Sequence, residues 1–242
     1  MNNRFIILVT QRDAAPFIER CLDSIISQTY KNYKVIIMDD NSTDGTWEII
    51  QKYPFQAIHT PKQDYHIKNF IAGINGYATN KEDIICFVSG DDYLFANDVL
   101  AYLDKVYQKD IWLTYGSYIT TSDGKKGICC GPVIDTQTYR KSGAWCTSHL
   151  VTCKKKLWDK IDNKDLKYKN GEYPNNSFDN AMMYPMIEMA GLKHIQYIEK
   201  ILYAYNDQNP VAAIHFKEDP KACLREREYW IKKPLYKELA EL

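Results

Sequence analysis

The sequence predicts an α/β fold: a single domain built on a Rossmann-like, doubly wound mixed sheet flanked by helices, with a C-terminal helical tail. Three observations carry that expectation. Phe5-Ile6-Ile7-Leu8-Val9, Val35-Ile36-Ile37-Met38 and Ile84-Ile85-Cys86-Phe87-Val88 are short, unbroken apolar runs, the pattern of strands buried on both faces of a parallel sheet. Stretches of helical periodicity lie between them, so right-handed crossovers assemble the sheet. A length of 242 residues suits one sizeable domain.

The elements come in order along the chain. After the first run, Pro16 to Gln28 sets Phe17, Ile18, Cys21, Leu22, Ile25 and Ile26 at helical spacing, with Pro16 suited to the first turn. Asp39-Asp40-Asn41-Ser42 stops the second strand, and Asp44 is placed to cap a helix carrying Trp47, Ile49 and Ile50. Phe55 to Thr60 reads as extended and His66 to Ala78 as a helix before the Ile84 run. Beyond Trp112 the regular alternation stops, and this half is expected to complete the mixed sheet. Ser177 to Ala190 is helical, with Gly191 at its end. Lys193 to Tyr205 supplies one or two strands, and Pro220 to Leu242 is a charged amphipathic helix that Pro234 can break.

Thirty-one Lys+Arg balance thirty-one Asp+Glu, so no bulk charge draws the chain to nucleic acid or to an anionic surface. No signal-peptide pattern opens the chain and no run approaches the ~20 apolar residues of a membrane span, which predicts a soluble, cytoplasmic protein. Seven cysteines, odd in number and without CxxC spacing, read as reduced thiols. Self-association into a homodimer is left open.

Polar clusters stand at three strand ends, Thr10-Gln11-Arg12-Asp13, Asp39-Asp40-Asn41 and Ser89-Gly90-Asp91-Asp92, and doubly wound sheets bind ligands beyond the carboxyl ends of their strands. Gly-Asp-Asp after a buried strand is also a good turn and helix start. Read chemically, it is a ledge of hard oxygen ligands for Mn²⁺ or Mg²⁺, the ions that neutralise a departing diphosphate, with Gly90 allowing close backbone approach. Asp39 or Asp40 could then accept the ring N–H of uracil, with Thr10 and Arg12 where a base or ribose would pass.

Leu8-Val9-Thr10-Gln11-Arg12-Asp13, Phe17-Ile18-Glu19-Arg20-Cys21-Leu22-Asp23-Ser24-Ile25, Gln28-Thr29-Tyr30 and Val35-Ile36-Ile37-Met38-Asp39-Asp40-Asn41-Ser42-Thr43-Asp44 together resemble the family 2 glycosyltransferases of the GT-A fold, over residues 4 to 110 and, less closely, 140 to 210. The resemblance implies an inverting glycosyltransferase that moves a hexose from a UDP-sugar, UDP-glucose favoured, to a hydroxyl of a glycan or protein-linked sugar with Mn²⁺ or Mg²⁺. Residues 1–110 would form the nucleotide-sugar half, 111–216 the acceptor half and 217–242 the C-terminal helix. Asp39 is similar to the family's uracil-recognising Asp, Asp91 to the second carboxylate of its Asp-x-Asp metal motif and Asp92 to the acidic residue after it. Ser89 stands where the first Asp is usual, and Thr10-Gln11-Arg12-Asp13 where Pro-Thr-Tyr-Asn is usual, so Arg12 could stack on uracil in place of a Tyr ring.

Inversion needs a base for the acceptor proton. Asp179, in Ser177-Phe178-Asp179-Asn180-Ala181-Met182, resembles the family's acidic motif opening a second-half helix; its bland role is a helix cap. His215 is expected to join Asp91 and Asp92 in the metal shell, Lys68 and Asn69 to touch ribose or phosphate, and Trp145 and His149 to lie on the acceptor side. Two other readings stay open. One is a non-catalytic nucleotide-sugar-binding module. The other is a sugar-nucleotide pyrophosphorylase, although Thr10 to Pro16 lacks that class's Gly-rich loop.

Overall fold

A computed structural model describes residues 2–127, 131–143, 145–210 and 221–242, the Cys223 side chain excepted. Eight strands form one sheet: β1 (Phe5–Gln11), β2 (Tyr33–Asp39), β3 (Gln56–His59), β4 (Ile84–Ser89), β5 (Tyr93–Leu94), β6 (Leu113–Thr120), β7 (Ser148–Lys154) and β8 (Ile195–Tyr205), in the order β3-β2-β1-β4-β7-β6-β8-β5. The first four are mutually parallel, β7 runs antiparallel to both β4 and β6, and β6 and β8 are parallel. The mixed sheet is therefore the one expected, with Lys193 to Tyr205 supplying a single strand.

Alternate residues of the unbroken runs serve two cores. Ile6, Leu8, Ile36, Met38, Ile85 and Phe87 pack on one face with α3 (Tyr65–Tyr77) and α6 (Phe178–Ala190). Phe5, Ile7, Val9, Val35, Ile37, Cys86 and Val88 pack on the other with α1 (Ile18–Ile26) and α4 (Val99–Tyr107). A strand covered on both sides has no wet face for polar side chains, which is why these runs are continuous. Two short helices, α2 (Thr46–Ile50) and α5 (Lys155–Trp158), follow β2 and β7. Among the described cysteines, Cys21, Cys86 and Cys153 are buried, Cys146 is half-buried, and none is bridged.

The tail differs from a helix running through Leu242. Helix α7 spans Ala222–Ile231 and ends before Pro234, whose ring and missing N–H are incompatible with continuing it. A buried ion pair holds the segment beyond the helix instead. Arg140 and Glu188, both almost wholly enclosed, pair at 2.7 Å. Arg140 also donates to the Trp230, Lys233 and Pro234 carbonyls, and Glu188 accepts from the Tyr236 N–H at 2.9 Å. No helix among the described residues is long and apolar enough to cross a membrane.

Candidate active site

The parallel register assembles the site. Thr10 lies opposite Ser89, and Gln11 opposite Asp39, so the polar ends of β1, β2 and β4 converge at one edge. Beside them a 240 Å³ cavity is lined by His66, Ser89, Asp91, Asp92, His149 and Asp179, with Phe178 and Tyr205 among the walls. Residues far apart along the chain thus share one hollow.

Two carboxylates come directly after β4. Asp91 accepts from the Asn209 amide at 2.7 Å. Asp92 is nearly inaccessible; its Oδ1 accepts from the Asn206 N–H at 2.7 Å. Burial, and then the charge of Asp91, push the Asp92 carboxyl well above the usual carboxylate range. Such a pair favours a bound cation as it favours a proton. Hard oxygens in small number suit Mg²⁺ or Mn²⁺, which keep waters and take phosphate oxygens for the rest of their shell. No group of three metal-ligating side chains occurs among the described residues. His215, the expected third ligand, lies outside them.

Ser89 lines the cavity, and its N–H donates to the Tyr203 hydroxyl at 3.0 Å. Gly90 is a steric requirement: a Cβ there would overlap Gln11 Cβ and come within 2.7 Å of its Cγ. Gln11 in turn donates to Asp39. The Asp39 carboxylate is fully enclosed and also engages Ser42 and His59, so a base could reach it only after Gln11 moves aside. Asp40, the other candidate for uracil, is already engaged: its oxygens accept from the Asp64 N–H at 2.6 Å, the Tyr65 N–H at 3.0 Å and Asn69 Nδ2 at 2.9 Å. It caps α3 from a neighbouring loop, a role that spacing along the chain could not reveal. Asn69 is buried behind it and does not line the cavity.

Thr10 is buried, with its Oγ1 2.9 Å from His66 Nδ1. The His66 ring stacks on Phe178 at 4.8 Å, tying the β1 edge to the residue before Asp179. Sequence reasoning passed over His66; no motif marks it, and its place results from α3 packing against β1 and α6. Asp44 bridges loops, taking the Ala15 N–H at 3.0 Å and the Thr46 N–H at 3.1 Å, while Gly45 rather than Asp44 occupies the α2 N-cap.

Asp179 sits in the first turn of α6, its Oδ1 accepting from the Asn180 N–H at 2.9 Å. Burial pushes its carboxyl up to about 6. The α6 N-cap, Ser177, makes no capping bond of its own. Glu226 of α7 supplies the acceptor instead, taking the Asn176 and Ser177 N–H groups at 3.1 and 3.0 Å, Asn176 Nδ2 at 2.8 Å and Ser177 Oγ at 3.0 Å. Trp230 Nε1 adds a bond to Ser177 Oγ at 2.9 Å. The C-terminal helix therefore anchors the segment that opens α6 just before Asp179, a second contribution invisible to local sequence.

His149 stacks on Tyr203 and Tyr205 with ring centroids 4.8 and 5.8 Å away. Burial lowers its pKa to about 4, so it is a neutral ring at neutral pH and no counter-charge for phosphate. Arg12, Lys68 and Trp145 do not line the cavity. Arg12 pairs with Asp13 at 3.2 Å, Lys68 with Asp64 one turn earlier, and Trp145 packs edge-on against Tyr184 at 6.1 Å.

Known proteins resemble the chain in sequence and in fold. The family model for glycosyl transferase family 2 matches residues 5–128. Glycosyltransferase GlyA of Streptococcus pneumoniae is 22% identical over 85% of this chain and 31% of its own length. The Escherichia coli UDP-Glc:alpha-D-GlcNAc-diphosphoundecaprenol beta-1,3-glucosyltransferase WfaP is 30% identical over 48% of this chain and 47% of its own. The chain thus spans between about a third and a half of these curated relatives. Staphylococcus aureus TarS in complex with UDP-GlcNAc superposes with a TM-score of 0.64 at 15% identity, over 85% of this chain and 59% of that one. Mannosyltransferase PcManGT of Pyrobaculum calidifontis, in complex with GDP-Man and Mn²⁺, gives 0.59 at 17%, over 96% and 70%. With the parallel β3-β2-β1-β4 edge, the carboxylates after β4 and a family match covering half its length, the chain belongs to glycosyl transferase family 2.

Proposed function

We propose that this chain transfers a hexose from a UDP-sugar, with UDP-glucose the favoured donor, to a hydroxyl of a sugar acceptor, with inversion at the anomeric carbon. One observation carries the reading: Asp179, a carboxyl whose proton affinity burial has raised to about 6, shares a 240 Å³ cavity with the Asp91–Asp92 pair. A general base works best with a pKa near the operating pH, and Asp179 is ionised at neutral pH yet more basic than a solvated carboxylate. The acceptor oxygen attacks the anomeric carbon while Asp179 takes its proton, and the bond from that carbon to the β-phosphate oxygen breaks with its electron pair leaving on UDP.

Asp91, with Asp92 behind it, would hold Mn²⁺ or Mg²⁺, whose chemistry is to neutralise charge on the departing diphosphate. Asp39 would read uracil once Gln11 yields. Arg12, at the rim of the β1–α1 loop, would lie against the base or ribose, and Ser89 and Gly90 would border the ribose and diphosphate. The UDP-glucose preference is supported by the donor in the name of WfaP; TarS in complex with UDP-GlcNAc keeps an amino-sugar donor as the alternative to be assayed.

UDP release from UDP-glucose, UDP-galactose and UDP-GlcNAc, each with Mn²⁺ and then with EDTA, tests the reading. Metal-dependent release from one donor is expected. Release from none refutes it, and a requirement for UTP and a sugar phosphate assigns the site to pyrophosphorolysis.

A further inference from the structure

A second concavity, of 680 Å³, lies between residues 164–171 and the end of α7, and shares no lining residue with the cavity around Asp179. Its walls bear Lys164, Lys167, Lys169, Lys232 and Lys233 against one carboxylate, Asp165. Five ammonium groups against one carboxylate leave a formal charge of +4 in a chain whose total is zero. Asp165 is already engaged, accepting from the Tyr236 hydroxyl at 2.7 Å and lying 3.7 Å from Lys233. Counting Asp162, which pairs with Lys164 at 2.8 Å, still leaves the hollow cationic.

These lysines differ in what they do. Lys233 is tied down, donating to the carbonyls of Lys164, Asp165 and Lys167 at 3.3, 2.9 and 3.0 Å. It holds the two walls together. Lys169 and Lys232 are exposed, one on each wall. Between the cations stand Tyr168 and Tyr229, edge to face at 5.0 Å. A cleft lined by one sign of charge concentrates its field and draws the opposite charge. Here the cations are strung along a hollow that can hold several linked groups, rather than converged on a point, and the tyrosines offer apolar faces for the carbons between charges.

We propose that this groove binds a soluble linear chain of phosphate groups. A bilayer is the rival occupant, because Lys164, Lys169 and Lys232 are exposed; the half-buried Lys167 and Lys233 favour a chain that enters the hollow. The assignment stands on the groove alone and does not depend on the transfer reaction.

Titration of the full chain with a labelled inorganic polyphosphate of about fifteen units, at low and moderate salt, tests it. Binding should weaken linearly in log–log with salt, as release of counterions requires. Lys169→Glu with Lys232→Glu should weaken it by about ten-fold or more. Lys52→Glu with Lys109→Glu, exposed positions outside the groove, should leave it within about two-fold. UDP titration of each variant reports an intact fold and donor site. Equal weakening by the two pairs, absence of binding, or capture by phosphatidylglycerol vesicles with no affinity for polyphosphate would each overturn the assignment.

Discussion

Replacing Asp179 with Asn should silence the enzyme and stabilise the protein at once. Burial holds the Asp179 carboxyl near 6, against 3.8 for a free Asp side chain, so the folded state resists its ionisation. The sign comes from proton binding. Between 3.8 and about 6 the folded form binds the proton more tightly than the unfolded form, so stability falls as pH rises through that window and is flat above it. At neutral pH the cost is at most about 3 kcal/mol. Partial solvent access reduces the working expectation to about 1–2 kcal/mol. Asn keeps the acceptor for the Asn180 N–H and carries no charge, so D179N should melt about 3–6 °C above the parent at pH 7.5. By pH 4.5 the advantage should shrink to roughly a third. Thermal unfolding at the two pH values measures this, beside a UDP-release assay and a UDP titration. Transfer should be lost and UDP affinity kept. An advantage over the parent no larger at pH 7.5 than at pH 4.5 would show that burial does not raise the Asp179 carboxyl, and a variant that still transfers sugar would show that Asp179 is not the base.

Other consequences are more local. The parent's kcat/KM should rise with pH through an apparent pKa near 6, where Asp179 becomes ionised; a flat profile between pH 5 and 8 would move the base elsewhere. Gly90→Ala should cost about 1–3 kcal/mol in stability, because the methyl group must displace Gln11. Thermal unfolding would detect or deny that cost. Asp91→Ala should make UDP affinity indifferent to Mn²⁺, whereas a metal response equal to the parent's would remove the carboxylate from the metal site. Glu226→Ala should lower kcat by about ten-fold or more while leaving the donor KM near its parent value, since Glu226 holds the backbone of Asn176 and Ser177 rather than the donor edge; a rise in KM alone would contradict its positioning role.

The parts of the site that were legible along the chain are those whose logic is local. An apolar run ending in Ser89-Gly90-Asp91-Asp92 announces carboxylates at a strand end, and Asp179 opens a helix beside Ser177. Asp40 shows the limit of that reasoning. Beside Asp39 it looked equally available to a base, yet it is consumed in capping α3, which starts 25 residues later. His66 and Glu226 carried no motif, because their roles exist only where α3 meets β1 and where α7 meets α6.

By itself the sequence determined the layered α/β architecture and the family, since strands buried on two faces must be uniformly apolar and the polar residues ending them must gather at one edge. Tertiary structure alone decided which of those polar groups face the cavity and which are engaged in capping and packing, and what burial does to Asp92, His149 and Asp179. It also decided how a chain of zero net charge concentrates five lysines around one groove. The reason is physical: charge, desolvation and hydrogen-bond competition depend on distance in space, and the residues that set them lie far apart along the chain.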